Sequence, residues 1–170
     1  MMYNIEIKAR CNRTDEIRRI LLDENADYKG TDFQTDTYFI VKEGRLKLRH
    51  GNIENSLIYY KRENISGSKK SSVILYNTTP DSKLKEILTQ TLGILVEVKK
   101  KREIYFIENV KFHIDEVESL GSFVEIEAIS SVPDKEEIFF RNQCEKYISL
   151  LKINKDDLIS ISYSDMLLQK

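Results

Sequence analysis

The sequence predicts an α+β fold of about eight antiparallel strands interrupted by a few amphipathic helices, a pattern compatible with a closed barrel. Three observations predict it. Several segments alternate charged and aliphatic residues at the period-two spacing of a strand. Turn signals at Glu43-Gly44, Gly51-Asn52, Asn109 and Gly121 punctuate them. Between them lie segments with apolar residues at helical spacing. The chain has 170 residues, 41% of them hydrophobic, and shows neither repeat nor linker, so one domain over 1–170 is expected.

The first strand is Asn4 to Arg10, with Asn4, Glu6, Lys8 and Arg10 on one face and Ile5, Ile7 and Ala9 on the other. A helix follows from Thr14-Asp15, carrying Ile17, Ile20 and Leu21. Strands are expected at Gln34 to Val41, Arg45 to His50 and Ser56 to Arg62, then a mobile hairpin loop over 63–70 and a strand from Ser72 to Asn77. Thr79-Pro80 has the form of a capping hydroxyl before a first-turn proline. It predicts a helix with Leu84, Ile87, Leu88 and Leu92 on one side, ending near Gly93. A long strand covers Ile94 to Ile107, followed by Lys111 to Val117 and Phe123 to Ile129. Asp134 and Glu137 resemble a capping box opening a helix whose apolar side holds Phe140, Cys144, Tyr147, Ile148 and Leu151. A short helix is expected from Ser164 to Leu168.

A net charge of −1 argues against a general nucleic-acid binder. Charged residues make up 32% of the chain, and they are segregated. Cations dominate Lys42 to Arg62 and Lys99 to Arg102, carboxylates Asp115 to Glu127. Cys11 and Cys144 are too few for a disulfide scaffold or zinc site. No segment has the length of a membrane span, and Met1 to Glu6 does not read as a signal peptide, so a cytoplasmic protein without membrane or nucleic-acid partner is expected.

Chemistry concentrates on three two-faced strands. Arg45, Lys47 and Arg49 form a row of like charges at roughly 7 Å intervals. Glu6 and Lys8 share one strand face, and so do Glu125 and Glu127. Each pattern alone is ordinary for a solvated sheet face. Together they suit a polyphosphate held by Arg and Lys, with a hard divalent cation bridging phosphate to carboxylate. His50 and His113 sit in no Cys/His or Ser/His/Asp pattern, and His113 is expected to be structural. There is neither a P-loop nor a dinucleotide-binding glycine fingerprint.

Nearly the whole chain then resembles the CYTH superfamily of triphosphate tunnel enzymes, in particular the branch of class IV adenylyl cyclases and thiamine triphosphatase-like proteins. The resemblance lies in Asn4 to Lys8, Asp36 to Phe39, Gly44 to Arg49, Leu57 to Arg62 and Val98 to Arg102. It continues through His113 to Val117, Leu120 to Glu127 and Tyr163 to Leu167. It implies an eight-stranded antiparallel barrel whose charged lumen binds a triphosphate-containing small molecule with Mg²⁺ or Mn²⁺. Carried over by position, Glu6, Glu125 and Glu127 are metal ligands, with Asp115 a further candidate. Lys8, Arg45, Lys47, Arg49, Arg62, Lys100 and Arg102 bind phosphate, and Glu6, Lys8 and Glu127 take catalytic roles. Alternation alone does not choose between the pair Lys100/Arg102 and the pair Lys99/Lys101. The family pattern Glu-x-Glu-x-Lys appears here as Asn4-Ile5-Glu6-Ile7-Lys8, one carboxylate short, which weakens the expected metal site. Three activities stay open: a metal-dependent phosphohydrolase, an adenylyl cyclase using the same grip on ATP, and a non-catalytic nucleotide or polyphosphate binder. Monomer and homodimer both remain open.

Overall fold

The computed structural model describes residues 2–131 and 135–170. Its eight strands are β1 (Tyr3–Arg10), β2 (Asp27–Phe39), β3 (Arg45–His50), β4 (Ser56–Arg62), β5 (Lys69–Asn77), β6 (Ile94–Ile107), β7 (Val110–Val117) and β8 (Gly121–Ile129). They close in the order β1-β5-β4-β3-β2-β6-β7-β8, with β8 returning to β1, and every pairing is antiparallel. Closure leaves no sheet edge and gives each strand an inner and an outer face.

The outer faces of β1, β7 and β8 are aliphatic because helices cover them. Helices α1 (Thr14–Asp23) and α3 (Glu137–Leu150) pack there. Ile5, Ile7, Ile17, Leu21, Phe112, Ile126, Phe140 and Cys144 are all at most 1% exposed in this layer. Each large apolar side chain so buried contributes about 1.5–3 kcal/mol before entropy is charged. A second apolar cluster lies inside the barrel at one end. There Tyr38, Ile58, Tyr60, Val98, Val117 and Phe123 meet Tyr163 and Met166 of α4 (Tyr163–Leu168). Helix α4 is only six residues long, and its start is secured by a capping box between Ser162 and Asp165. Lys69, fully buried, donates to the carbonyls of Ile159 (2.8 Å) and Ser160 (2.9 Å), fixing the segment that leads into α4.

Several expectations need correction. Strand β2 starts at Asp27 rather than near Gln34, because the 14-residue β6 supplies it with a long partner. Strand β5 begins at Lys69, paired with Glu6 on β1, so the preceding loop is shorter than 63–70. Thr79 does not cap α2 (Leu84–Leu92). Its carbonyl accepts from Ser82 N in a turn (3.3 Å), and Lys83 occupies the cap position without a side-chain bond. None of the α2 residues is buried, and Ile87 and Leu92 of its apolar side are exposed, unlike the stripes of α1 and α3. The Asp134 capping box falls outside the described residues; α3 starts at Glu137 after Glu136. A short 3₁₀ turn over Lys155–Asp157 was not anticipated.

Candidate functional site: a charged tunnel inside the barrel

Strand parity builds the site. In an antiparallel pair, residues directly opposite one another project to the same face. Arg49 lies opposite Asp36, Arg102 opposite Asp115, His113 opposite Glu125, Lys8 opposite Glu125, and Glu6 opposite Glu127. All therefore point inward. All but Asp115 line a cavity of about 590 Å³ with Ser162 and Tyr163 at one end and Met2, Ile53 and Leu75 at the other.

Asp36 is the first hub. It is 1% exposed and receives Arg49 Nε and Nη2 (both 2.9 Å), Lys47 Nζ (3.0 Å) and Lys100 Nζ (2.8 Å). Burial works against its ionisation, yet the three cations hold its carboxyl well below the usual range. Burial also pushes the Lys100 ammonium down to about 7, with Asp36 pulling the other way. Glu125 is the second hub, bonded to Lys8 Nζ (3.1 Å), Arg102 Nη2 (3.1 Å) and His113 Nδ1 (3.0 Å). Its carboxyl too is held low against its burial, chiefly by Lys8 and Arg102. Lys8 is lowered by burial and lies 3.6 Å above the Tyr163 ring.

The carboxylate patch near the open end is different. Glu6 pairs with Arg62 (3.1 Å), while Glu127 accepts only the amide of Asn4. Among the described residues, Glu127 is the lumen carboxyl with no salt bridge, and burial raises it against the pull of Lys111 on β7, with Glu6 and Glu125 adding to the rise. Buried polar atoms without partners gather in the same region: Asn4 Oδ1, Gln34 Oε1, Arg62 Nε and Nη2, and His113 Nε2. Such orphans are costly in a folded protein, and all but the Gln34 oxygen belong to residues lining this cavity.

Most predicted site residues are thus brought together: Glu6, Lys8, Lys47, Arg49, Arg62, Lys100, Arg102, Glu125 and Glu127 all line the cavity. Lys100 and Arg102 face inward and Lys99 and Lys101 outward, which decides the choice alternation had left open. Two residues fall elsewhere. Arg45 shares the parity of Lys47 but lies beyond the floor, bonded to Asp165 of α4 (2.6 Å). Asp115 gives both oxygens to Arg102 (2.7 and 2.6 Å) and accepts Tyr163 Oη (2.8 Å), so it positions that guanidinium rather than facing the cavity. His113, expected to be structural, lines the cavity. Sequence reasoning missed Asp36, Glu54, Lys111 and Tyr163 as wall residues. Lys111 carried a usable signal, since it shares the parity of Asp115 on β7; Asp36 is placed only by the register of β2 against β3.

A closed barrel enclosing opposed cations and carboxylates defines a class, the charged-tunnel β-barrels. The chain belongs to the CYTH domain family, whose profile matches residues 2–159. It is 27% identical, over 97% of its own length and 98% of the relative's, to a Methanocaldococcus jannaschii protein named "Putative adenylate cyclase". The PH1012 protein of Pyrococcus horikoshii OT3 shares the fold with a TM-score of 0.76 at 24% identity, covering 95% of this chain and 98% of that one. A Hippeastrum protein described as a "putative adenylyl cyclase" with a dominant triphosphatase activity superposes with a TM-score of 0.61 at 14% identity, covering 99% of this chain and 94% of the other. Among the described residues, no helix is long and apolar enough to cross a membrane.

Proposed function

We propose that this protein is a metal-dependent phosphohydrolase acting on a triphosphate-containing substrate held in the tunnel. The observation that carries the proposal is the convergence of Lys8, Lys47, Arg49, Arg62, Lys100 and Arg102 on one lumen. Within the lumen chiefly Asp36 and Glu125 balance these cations, so an entering polyphosphate exchanges one set of counter-anions for another. The Hippeastrum relative's triphosphatase activity supports the same direction.

The cations hold the phosphate chain in line and neutralise charge gathering on the transferred and leaving groups. Lys8, gripped by Glu125, is the ammonium placed beside the carboxylate patch. Arg62 brings two idle N–H groups to the lumen. The metal requirement fits the donors present. Glu6 and Glu127 lie directly opposite on β1 and β8, Glu127 makes no salt bridge among the described residues although Lys111 faces it from β7, and Asn4 Oδ1 is a buried carbonyl oxygen without a partner. Among the described residues no three His, Cys, Asp or Glu side chains cluster as a closed metal cage. The opposed pair Glu6 and Glu127 suits Mg²⁺ or Mn²⁺, which are ordinarily held by one or two carboxylates together with substrate phosphates. Glu6, Glu127 and Asn4 would hold the ion, which supplies Lewis-acid neutralisation of phosphate oxygens when bound. Glu125, already engaged by three donors, orients Lys8 and Arg102.

Phosphate release from inorganic triphosphate, thiamine triphosphate and ATP, with Mg²⁺ or Mn²⁺, tests the proposal. Turnover that vanishes in Glu127→Ala is expected; no release above that variant on any substrate rejects it. A second reading, cyclisation of ATP, draws on the cyclase name of the Methanocaldococcus relative. Products separate the two: cyclic AMP with pyrophosphate, or nucleoside diphosphate with phosphate.

A further inference from the structure

Helix α4 covers one end of the lumen, and the other end is rimmed by Met2, Ile53 and Leu75, which are 42–47% exposed. Glu54 stands in that opening. The loop between β3 and β4 that carries it is firmly built. Asp32, fully buried, accepts the backbone N–H groups of Ile53 and Glu54 (both 2.9 Å). Gly51 permits this approach, because a Cβ there would lie 2.5 Å from Asp32 Oδ1. Asn55 clamps the loop by bonding both the N–H (3.1 Å) and the carbonyl (2.9 Å) of Gly51.

From this support the Glu54 carboxylate crosses the opening. It accepts from Arg49 Nη1 (3.0 Å), Gln34 Nε2 (3.2 Å) and Lys111 Nζ. Despite its burial, Arg49 and Lys111 hold this carboxyl far below its ordinary range, so it is an anion at any physiological pH. The outermost cations of the tunnel therefore already carry a fixed negative charge. The other cations of the lining are Lys8, Lys47, Lys100, Arg62 and Arg102; around Met2, Ile53 and Leu75 the described wall holds apolar, amide and hydroxyl side chains such as Asn55, Asn77 and Thr78 and no cation.

We propose that Glu54 is a length gauge for the bound anion: its carboxylate stands where the next phosphate of a longer chain would lie. The tunnel then accepts three phosphates and rejects inorganic chains of four or more. An uncharged organic group attached to a triphosphate meets only the apolar rim and is not excluded. The inference rests on the triphosphate reading of the tunnel and adds a repulsive element that sets specificity.

Calorimetric titration with inorganic triphosphate and inorganic tetraphosphate, in EDTA and at one ionic strength, tests it. The wild-type protein is expected to bind triphosphate at least ten-fold more tightly than tetraphosphate. In Glu54→Gln, whose amide keeps the size and the bond to Arg49, that ratio is expected to fall to about one. Wild-type protein binding the two anions equally overturns the gauge alone, as does a Glu54→Gln variant that strengthens both by the same factor. Wild-type protein binding neither anion overturns the triphosphate reading itself and the gauge with it.

Discussion

Replacing Asp36 by Asn removes the one buried anion that three lumen cations share. Lys47, Arg49 and Lys100 would then face each other around a neutral amide. Breaking a buried ion pair from one side costs about 3–5 kcal/mol, because the abandoned charge stays desolvated. The lower end applies here. Lys100, already pushed down to about 7 by burial, sheds its proton at little cost, whereas Arg49 cannot. About 3 kcal/mol at roughly 2–4 °C per kcal/mol for a chain of this size predicts a melting temperature lower by about 6–12 °C. The second half of the expectation concerns the ligand. An added polyphosphate supplies the missing counter-anion, so 1 mM inorganic triphosphate should raise the melting temperature of Asp36→Asn by more than it raises that of wild type. Differential scanning fluorimetry at fixed salt reads both. A melting temperature within about 2 °C of wild type, or a triphosphate shift no larger than the wild-type shift, would refute the role of Asp36 as resident counter-ion.

Other expectations follow from the same geometry. Arg62→Gln removes two unsatisfied donors from the lumen and should weaken triphosphate binding by about 1.5–3 kcal/mol. Lys61→Gln, on the outward neighbour paired with exposed Glu43, should leave calorimetric affinity unchanged. His113 is lowered to about 4 by burial, with Arg102 adding, against an ordinary 6.5, so its neutral form is the one that folds. Its contribution is complete above pH 6.5 and lost as pH falls towards 4, about 3 kcal/mol in all. Chemical denaturation across that range should show the loss, and His113→Gln should flatten it. Asn4→Glu places a third carboxylate beside Glu6 and Glu127, and should tighten Mn²⁺ binding at least ten-fold as followed by electron paramagnetic resonance, while lowering the melting temperature in the absence of metal.

What the sequence makes legible depends on periodicity. Strands β3, β4 and β6 start and stop where alternation and turn residues place them, and the two-faced strands do put their charges inside, apart from Arg10 and Arg45 at the strand ends. The register between strands is not written in alternation. Asp36 was therefore overlooked, although it lies directly opposite the central row at Arg49. Arg45 shared the parity of its row, but α4, far along the chain, puts a floor between it and the cavity. Glu54 lies in a turn without periodicity, and only the contact between Gly51 and Asp32 aims it inward. The loss of the carboxylate at position 4 was visible. Its consequence was not: the Asn4 amide now holds Glu127 as a donor, leaving its own oxygen idle.

A crystal structure of the protein soaked with inorganic triphosphate and Mn²⁺ tests the central claim most directly. The account predicts phosphate oxygens within hydrogen-bond distance of Lys8, Arg49, Arg62, Lys100 and Arg102, and an anomalous Mn²⁺ peak beside Glu6 and Glu127. Triphosphate bound only on the outer surface, with the lumen ion pairs of Asp36 and Glu125 unchanged, would contradict it.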